Sequence, residues 1–278
     1  MCIRDRPPKG ARAADRQSRI RARPWLGATV CALWVGVAGA ASVDCRLAPA
    51  AGKRVLAELF SSEGCDACPP AERLFNGLAP GPEQDAIVWH VDYFDAQGWK
   101  DRFALPESSR RHQALAIRQP GPKIVATPQV YVDGAAFKDW RDARALRSRV
   151  LRGASAAPAL TLAITQVDRS DAGWQLHLQV DAGPATPAPL RWHAVLVQSG
   201  LSSQVTQGEN QGLTLMHGHV VRSATGPLAA SGEAPPRTLR LQLPAASTQP
   251  AAEGEIDFVA WAEAVEGQVL NATWARCP

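Results

Sequence analysis

The stretch "LFSSEGCDACPPAERLF", residues 59–75, decides how the first half of the chain is read. An apolar run with strand character, "RVLAELFS" (54–61), leads to Cys65 and Cys68, and then to Pro69 and Pro70. Proline is accepted in the first turn of a helix because the amides there are unpaired anyway, so "CPPAERLFNGLA" predicts a helix that opens at the second cysteine. Cysteines at positions i and i+3 of a helix start can close a small ring, and the helix dipole favours the thiolate of the first. That spacing is open to three readings: a redox couple, half of a metal site, or a structural staple.

The segments around it alternate. "AIVWHVDYFD" (86–95) reads as a second strand and "LPESSRRHQALAIRQ" (105–119) as a helix ended by Gly121 and Pro122. "TPQVYVDG" (127–134) reads as a third strand closed by Asp133-Gly134, and "KDWRDARALRSRVLRG" (138–153) as an amphipathic helix stopped by Gly153. Strands alternating with helices predict an α/β sheet. After residue 153 the helical period disappears. Seven runs, among them "GWQLHLQV", "PLRWHAVLVQ" and "IDFVAWAEAV", alternate at the strand period, with Trp174, Leu176, Leu178 and Val180 on one face and Leu239, Leu241 and Leu243 on another. They predict a β-sandwich. With 278 residues, 46% of them hydrophobic, the chain is long enough for two domains, and the boundary is expected near residues 153–158.

The net charge of +4 is unevenly spread. Residues 1–40 hold eight Arg and Lys against Asp5 and Asp15, so the remainder carries about −2 and nucleic-acid binding loses its electrostatic basis. The basic start precedes a short apolar run, Leu26 to about Ala41, with Ala38-Gly39-Ala40 at its end. That order reads as an export signal with cleavage near Ala40, an uncleaved membrane anchor being the alternative. Cleavage removes Cys2 and Cys31. Cys45, Cys65, Cys68 and Cys277 remain, an even number as exported chains permit, and Cys65–Cys68 with Cys45–Cys277 is the pairing chosen among three.

Strand, CxxC at a helix start, strand, helix and a Thr-Pro before another strand resemble the thioredoxin-like superfamily. The resemblance implies a cis Thr127-Pro128 beside the cysteine pair and a backbone edge there for a partner chain. More closely, "ELFSSEGCDACPPAE", "HVDYFDAQGWKDRFA", "TPQVYVDG" and "GENQG…VVR" together resemble the domain of unknown function 1223 family, exported proteins of Gram-negative bacteria. The fold expected is therefore an α/β thioredoxin-like domain over 53–153 followed by an all-β, sandwich-like domain over 158–278. The location expected is periplasmic or secreted.

The expected activity is thiol–disulfide exchange with protein thiols or disulfides of the cell envelope. Cys65 and Cys68 form the couple, Pro128 positions the partner chain, and Thr127, Trp99, Asp92 and Tyr93 line its groove. Two alternatives are a binding or assembly module with a permanent Cys65–Cys68 disulfide, and copper handling by the two thiolates. Glu63 and Asp66 flank Cys65 and disfavour its thiolate, which predicts a mild or reducing couple. Asp95 and Asp101 read as turn caps, His90 as a satisfied core histidine, and His112 as a solvated helix residue. Glu209, Asn210 and Arg222 are candidates for contact with a ligand or with the first half. His217 and His219 form an H-x-H, but in the other predicted domain, so no metal ligands and no cofactor are assigned. There is no G-x-S-x-G and no phosphate-cradling glycine loop.

Overall fold

The computed structural model describes residues 40–49, 52–78, 84–229, 235–245 and 256–278; the expected export signal, with Cys2 and Cys31, lies outside them. In chain order the strands of the first half are β1 (Ala41–Val43), β2 (Arg46–Leu47), β3 (Val55–Ser61), β4 (Gln84–His90), β5 (Gln129–Val132) and β6 (Ala135–Ala136). Its helices are α1 (Pro69–Asn76), α2 (Pro106–Arg118) and α3 (Ala143–Ala154). The second half holds β7 (Leu160–Ser170), β8 (Gly173–Ala182), β9 (Leu190–Gln198), β10 (Leu201–Gln204), β11 (Thr214–His217), β12 (Val220–Ala229), β13 (Thr238–Pro244), β14 (Ile256–Ala264) and β15 (Val269–Cys277).

Local chemistry accounts for most of these boundaries. Pro69 and Pro70 open α1, and the Cys68 carbonyl accepts from the amides of Ala71 and Glu72. Pro106 opens α2. Asp142 caps α3 by accepting from the amides of Arg144 and Ala145, so this helix starts five residues later than the charged pattern predicts and runs past Gly153 to Ala154. All seven residues of β3 are buried because the strand lies inside a sheet covered on both faces.

The expectation of a separate α/β thioredoxin-like domain followed by a β-sandwich is overturned. One nine-stranded mixed sheet, ordered β2-β15-β14-β9-β12-β4-β3-β5-β6, runs through both halves of the chain. The junction is between β12 and β4, which pair in parallel at Val220 and Val88, with the Val88 amide donating to the His219 carbonyl at 2.8 Å. Three α-helices among the described residues are too few to enclose an α/β sheet of that width, and strands dominate. The alternating runs of the second half do form strands β7, β8, β9, β12, β13, β14 and β15, and the described residues fall in one compact unit.

Three main cores hold the layers. The four-stranded sheet β1-β7-β8-β13 packs Trp174, Leu176, Leu178 and Leu241 against Trp192, Leu196 and Phe258 of the large sheet. On the opposite face, Val195 and Val197 of β9 join Phe60, Trp89 and Leu115 beneath α2. The third core sets Phe75 of α1 and Leu146 and Val150 of α3 against β3, β4 and β5. Near the chain ends β1 pairs with β7 and β2 with β15, and a disulfide joins Cys45 to Cys277.

Candidate functional site

Cys65 and Cys68 are joined by a disulfide at the start of α1, Cys65 being 2% and Cys68 0% exposed. Between them Asp66 and Ala67 are exposed. The Thr127–Pro128 bond is cis, and the Thr127 carbonyl oxygen lies 3.6 Å from Cys65 Sγ. Residues 121–126, just before it, are exposed and belong to no strand, and they present the apolar side chains of Ile124 and Val125.

The second half of the chain closes over this segment. Asn210 is buried, and its side-chain amide donates to the carbonyls of both Glu63 and Cys65 at 2.8 Å. Glu209 accepts from the Asp66 amide at 3.0 Å. Gly208 holds φ +77°, and a Cβ there would stand 3.1 Å from Trp99 Cβ, so glycine is required for this close approach. Asn76 of α1 binds the same region, donating to the Met216 carbonyl and accepting from the Gly218 amide.

Beside the cysteine segment lies a buried network of acids and histidines. Glu63 accepts from the Trp99 indole at 2.8 Å and meets His217 Nε2 at 3.1 Å. The other ring nitrogen of His217, Nδ1, faces Glu72 at 2.5 Å, and Ser61 donates to the same carboxylate. His90 Nδ1 is 2.6 Å from Asp101, which also accepts from the amides of Glu63 and Phe103.

These groups set one another's charge. Burial opposes ionisation of Glu72, but His90 and His217 outweigh it and hold the carboxyl below its ordinary value. Burial likewise opposes the His90 cation, and Asp101 with Glu72 raises its pKa nonetheless. For His217 burial is overcome by Glu63 and Glu72, which push it up to about 9. Asp101 is lowered despite burial by His90. The donor atoms of Glu72, His90 and His217 lie within 4.8 Å of one another.

The other residues named from sequence divide clearly. Trp99 reaches the site through Glu63, and Asp101 and His90 belong to the network, so neither Asp101 as a turn cap nor His90 as a satisfied core histidine describes them fully. Asp92 and Tyr93 contact α2 instead: Asp92 accepts from Ser109, and the Tyr93 hydroxyl meets His112 Nδ1 at 3.1 Å. Asp95 accepts from the Asp101 amide. Arg222 donates to Gln198 and lies over the Phe103 ring.

Two expectations fail here. His112 is fully buried rather than solvated, stacked on Phe60 and bonded to Gln129 at 2.7 Å. The H-x-H is not remote from the cysteines: His217 joins their segment, whereas the His219 main chain bends at φ +58°. Glu72 had no assigned role in the sequence, because a glutamate on a short helix reads as a solvated charge. Its position four residues after Cys68, on the face of α1 that meets β4 and β11, is the signal that locates it.

Residues 56–260 match the family described as "Protein of unknown function (DUF1223)". Among solved structures, the crystal structure of protein AGR_C_4864 from Agrobacterium tumefaciens is similar at 20% identity and a TM-score of 0.56, covering 81% of this chain and 94% of its own. HBP35 of Porphyromonas gingivalis is similar at 15% identity and a TM-score of 0.55, covering 80% of this chain and 74% of its own. At such identities the likeness concerns the fold alone. No curated protein matches the chain.

Proposed function

We propose that this chain, which belongs to the DUF1223 family, is a thiol–disulfide exchange protein acting on protein thiols or disulfides outside the cytoplasm. The observation that carries this reading is the placement of Cys65 Sγ, 3.6 Å from the Thr127 carbonyl at the end of the exposed apolar segment 121–126. A partner chain laid along that segment meets main chain outside any strand, with its sulfur beside Cys65.

In the reduced protein the Cys65 thiolate attacks one sulfur of the partner disulfide, and the other partner sulfur leaves as a thiolate. The Cys68 thiolate then attacks Cys65 Sγ, breaking the mixed disulfide. The partner leaves reduced and Cys65–Cys68 is oxidised; the reverse sequence oxidises a partner dithiol. Cys65 is the attacking residue because it is the first of the pair at the helix start and its sulfur lies against the Thr127 carbonyl. Two disulfides in one chain favour an oxidising compartment, consistent with export to the periplasm or beyond.

Trapping tests the proposal. Cys68→Ser should accumulate mixed disulfides through Cys65 in the cell envelope, and Cys65→Ser with Cys68→Ser should not. A Cys68→Ser protein that is folded, exported and free of adducts contradicts exchange. The near-complete burial of both cysteines favours a second reading, in which the disulfide permanently staples the loop to α1 and the strand-rich half binds a partner.

A further inference from the structure

We propose that Glu72, His90 and His217 form a binding site for one divalent cation of the Zn2+ class, buried beside the cysteine pair. The proposal does not rest on thiol exchange, since neither cysteine is one of its ligands.

The strongest observation is His90. Its ring is fully buried, and Nε2 has no hydrogen-bond partner. That nitrogen faces Glu72 Oε1 at 3.9 Å, too far for a hydrogen bond. An unpartnered nitrogen in such a place costs desolvation energy that no hydrogen bond returns. A cation between the two groups removes the deficit.

The spacing suits a small ion. Zn2+ bonds of about 2.0–2.2 Å in a tetrahedral arrangement separate the ligand atoms by about 3.4 Å. The His90–Glu72 separation of 3.9 Å and the His217 Nδ1–Glu72 separation of 2.5 Å bracket that value. All three donors are within 4.8 Å of one another, so side-chain shifts of about an ångström bring the three onto one ion and leave the fourth position to solvent.

The outer shell is the kind that metal-bound histidines require. Each ring offers one nitrogen to the site and the other to a buried carboxylate: His90 Nδ1 to Asp101 at 2.6 Å, and His217 Nε2 to Glu63 at 3.1 Å. Both carboxylates are themselves held, Asp101 by two backbone amides and Glu63 by the Trp99 indole. The positive charge is also the same. A dication with two neutral imidazoles offsets the three carboxylates Glu63, Glu72 and Asp101 as fully as two imidazolium protons do.

Donor chemistry selects the ion. Two imidazoles and one carboxylate suit Zn2+, Co2+ or Ni2+ and not Mg2+ or Ca2+, which take oxygen ligands. The Phe103 ring packs edge-on against both histidines, at 5.6 Å from His90 and 5.2 Å from His217, giving the ion an apolar wall. Bound there, it ties α1 and β4 to the end of β11.

The test uses the purified protein with both disulfides intact, so that thiolates do not compete, stripped with a chelator and titrated with Zn2+ and with Co2+. One ion per chain is expected, with a Co2+ absorption spectrum of nitrogen and oxygen ligation. His90→Gln and His217→Gln should each weaken Zn2+ binding by about 100-fold or more, and Asp101→Asn by about 10–100-fold, while Cys65→Ser with Cys68→Ser leaves it unchanged. Absence of 1:1 binding by folded wild type at about 100 μM Zn2+, or undiminished binding by folded His90→Gln, overturns the proposal. Where the variants do not fold, X-ray absorption of the Zn2+-loaded wild type decides: two imidazoles and no sulfur support the site, and any other ligand set overturns it.

Discussion

Asn210 donates from its side-chain amide to the carbonyl of Cys65, a residue 145 positions earlier in the chain, while its second amide hydrogen is bonded to Glu63. A single side chain of the strand-rich half thereby fixes the main chain on the approach to the cysteine pair.

Asn210→Ala leaves two carbonyls without their donor in a buried place. Loss of about 1–3 kcal/mol of stability is expected in urea unfolding, together with faster reduction of Cys65–Cys68 by dithiothreitol. Unchanged stability and an unchanged reduction rate count against the clamp.

Arg111 joins α2 to two buried acids, with Glu58 accepting at 2.9 Å and Glu263 closer still. Burial opposes its charge, but the two carboxylates raise its pKa further above the ordinary value. Removing the guanidinium leaves Glu58 without a cationic partner and Glu263 with Arg118 alone. Arg111→Met should therefore cost about 3–5 kcal/mol, read as a lower urea midpoint at pH 7.

His112 gives the protein an acid-sensitive element. Burial pulls its pKa down to about 4, against the raising effect of Gln129, so the folded chain keeps a neutral ring where the unfolded chain takes up a proton near 6.5. The contribution is complete above pH 6.5 and is lost as the pH falls through 4, amounting to about 3 kcal/mol. Across that window wild type should lose this much more stability than His112→Gln. Parallel curves of stability against pH contradict it.

Asp66 and Glu209 are both exposed, and both bring negative charge to the cysteine segment. Neutralising them favours the thiolate. In a Cys68→Ser background, Asp66→Asn with Glu209→Gln should lower the Cys65 pKa by roughly half a pH unit to one unit, followed by the pH dependence of alkylation. With both acids present, that pKa is expected above about 5.

Much of the architecture has a local signature and much does not. The prolines after Cys68 mark the start of α1, and the alternation through Trp174, Leu176, Leu178 and Val180 marks β8, because helix starts and half-buried strands are local facts. The meeting of Val220 with Val88 is not local: a short parallel bridge between distant strands leaves no period in either, and it is what merges two expected domains into one sheet. The site divides in the same way. The cysteine pair, Thr127 and Trp99 stand out as residue types in a recognisable order. Glu72 and His217 gain meaning only when the β11–β12 turn is laid against α1, which explains why His217 reads as remote; His112 reads as solvated because the residues that bury it, Phe60 and Gln129, come from β3 and β5.

The reduction potential of Cys65–Cys68 in the purified protein tests thiol exchange most directly. With acidic groups opposing the thiolate, a value of about −200 to −270 mV is expected, reached reversibly in a glutathione or dithiothreitol buffer. A value well below about −300 mV, with no response to glutathione, contradicts exchange and makes the pair a permanent staple.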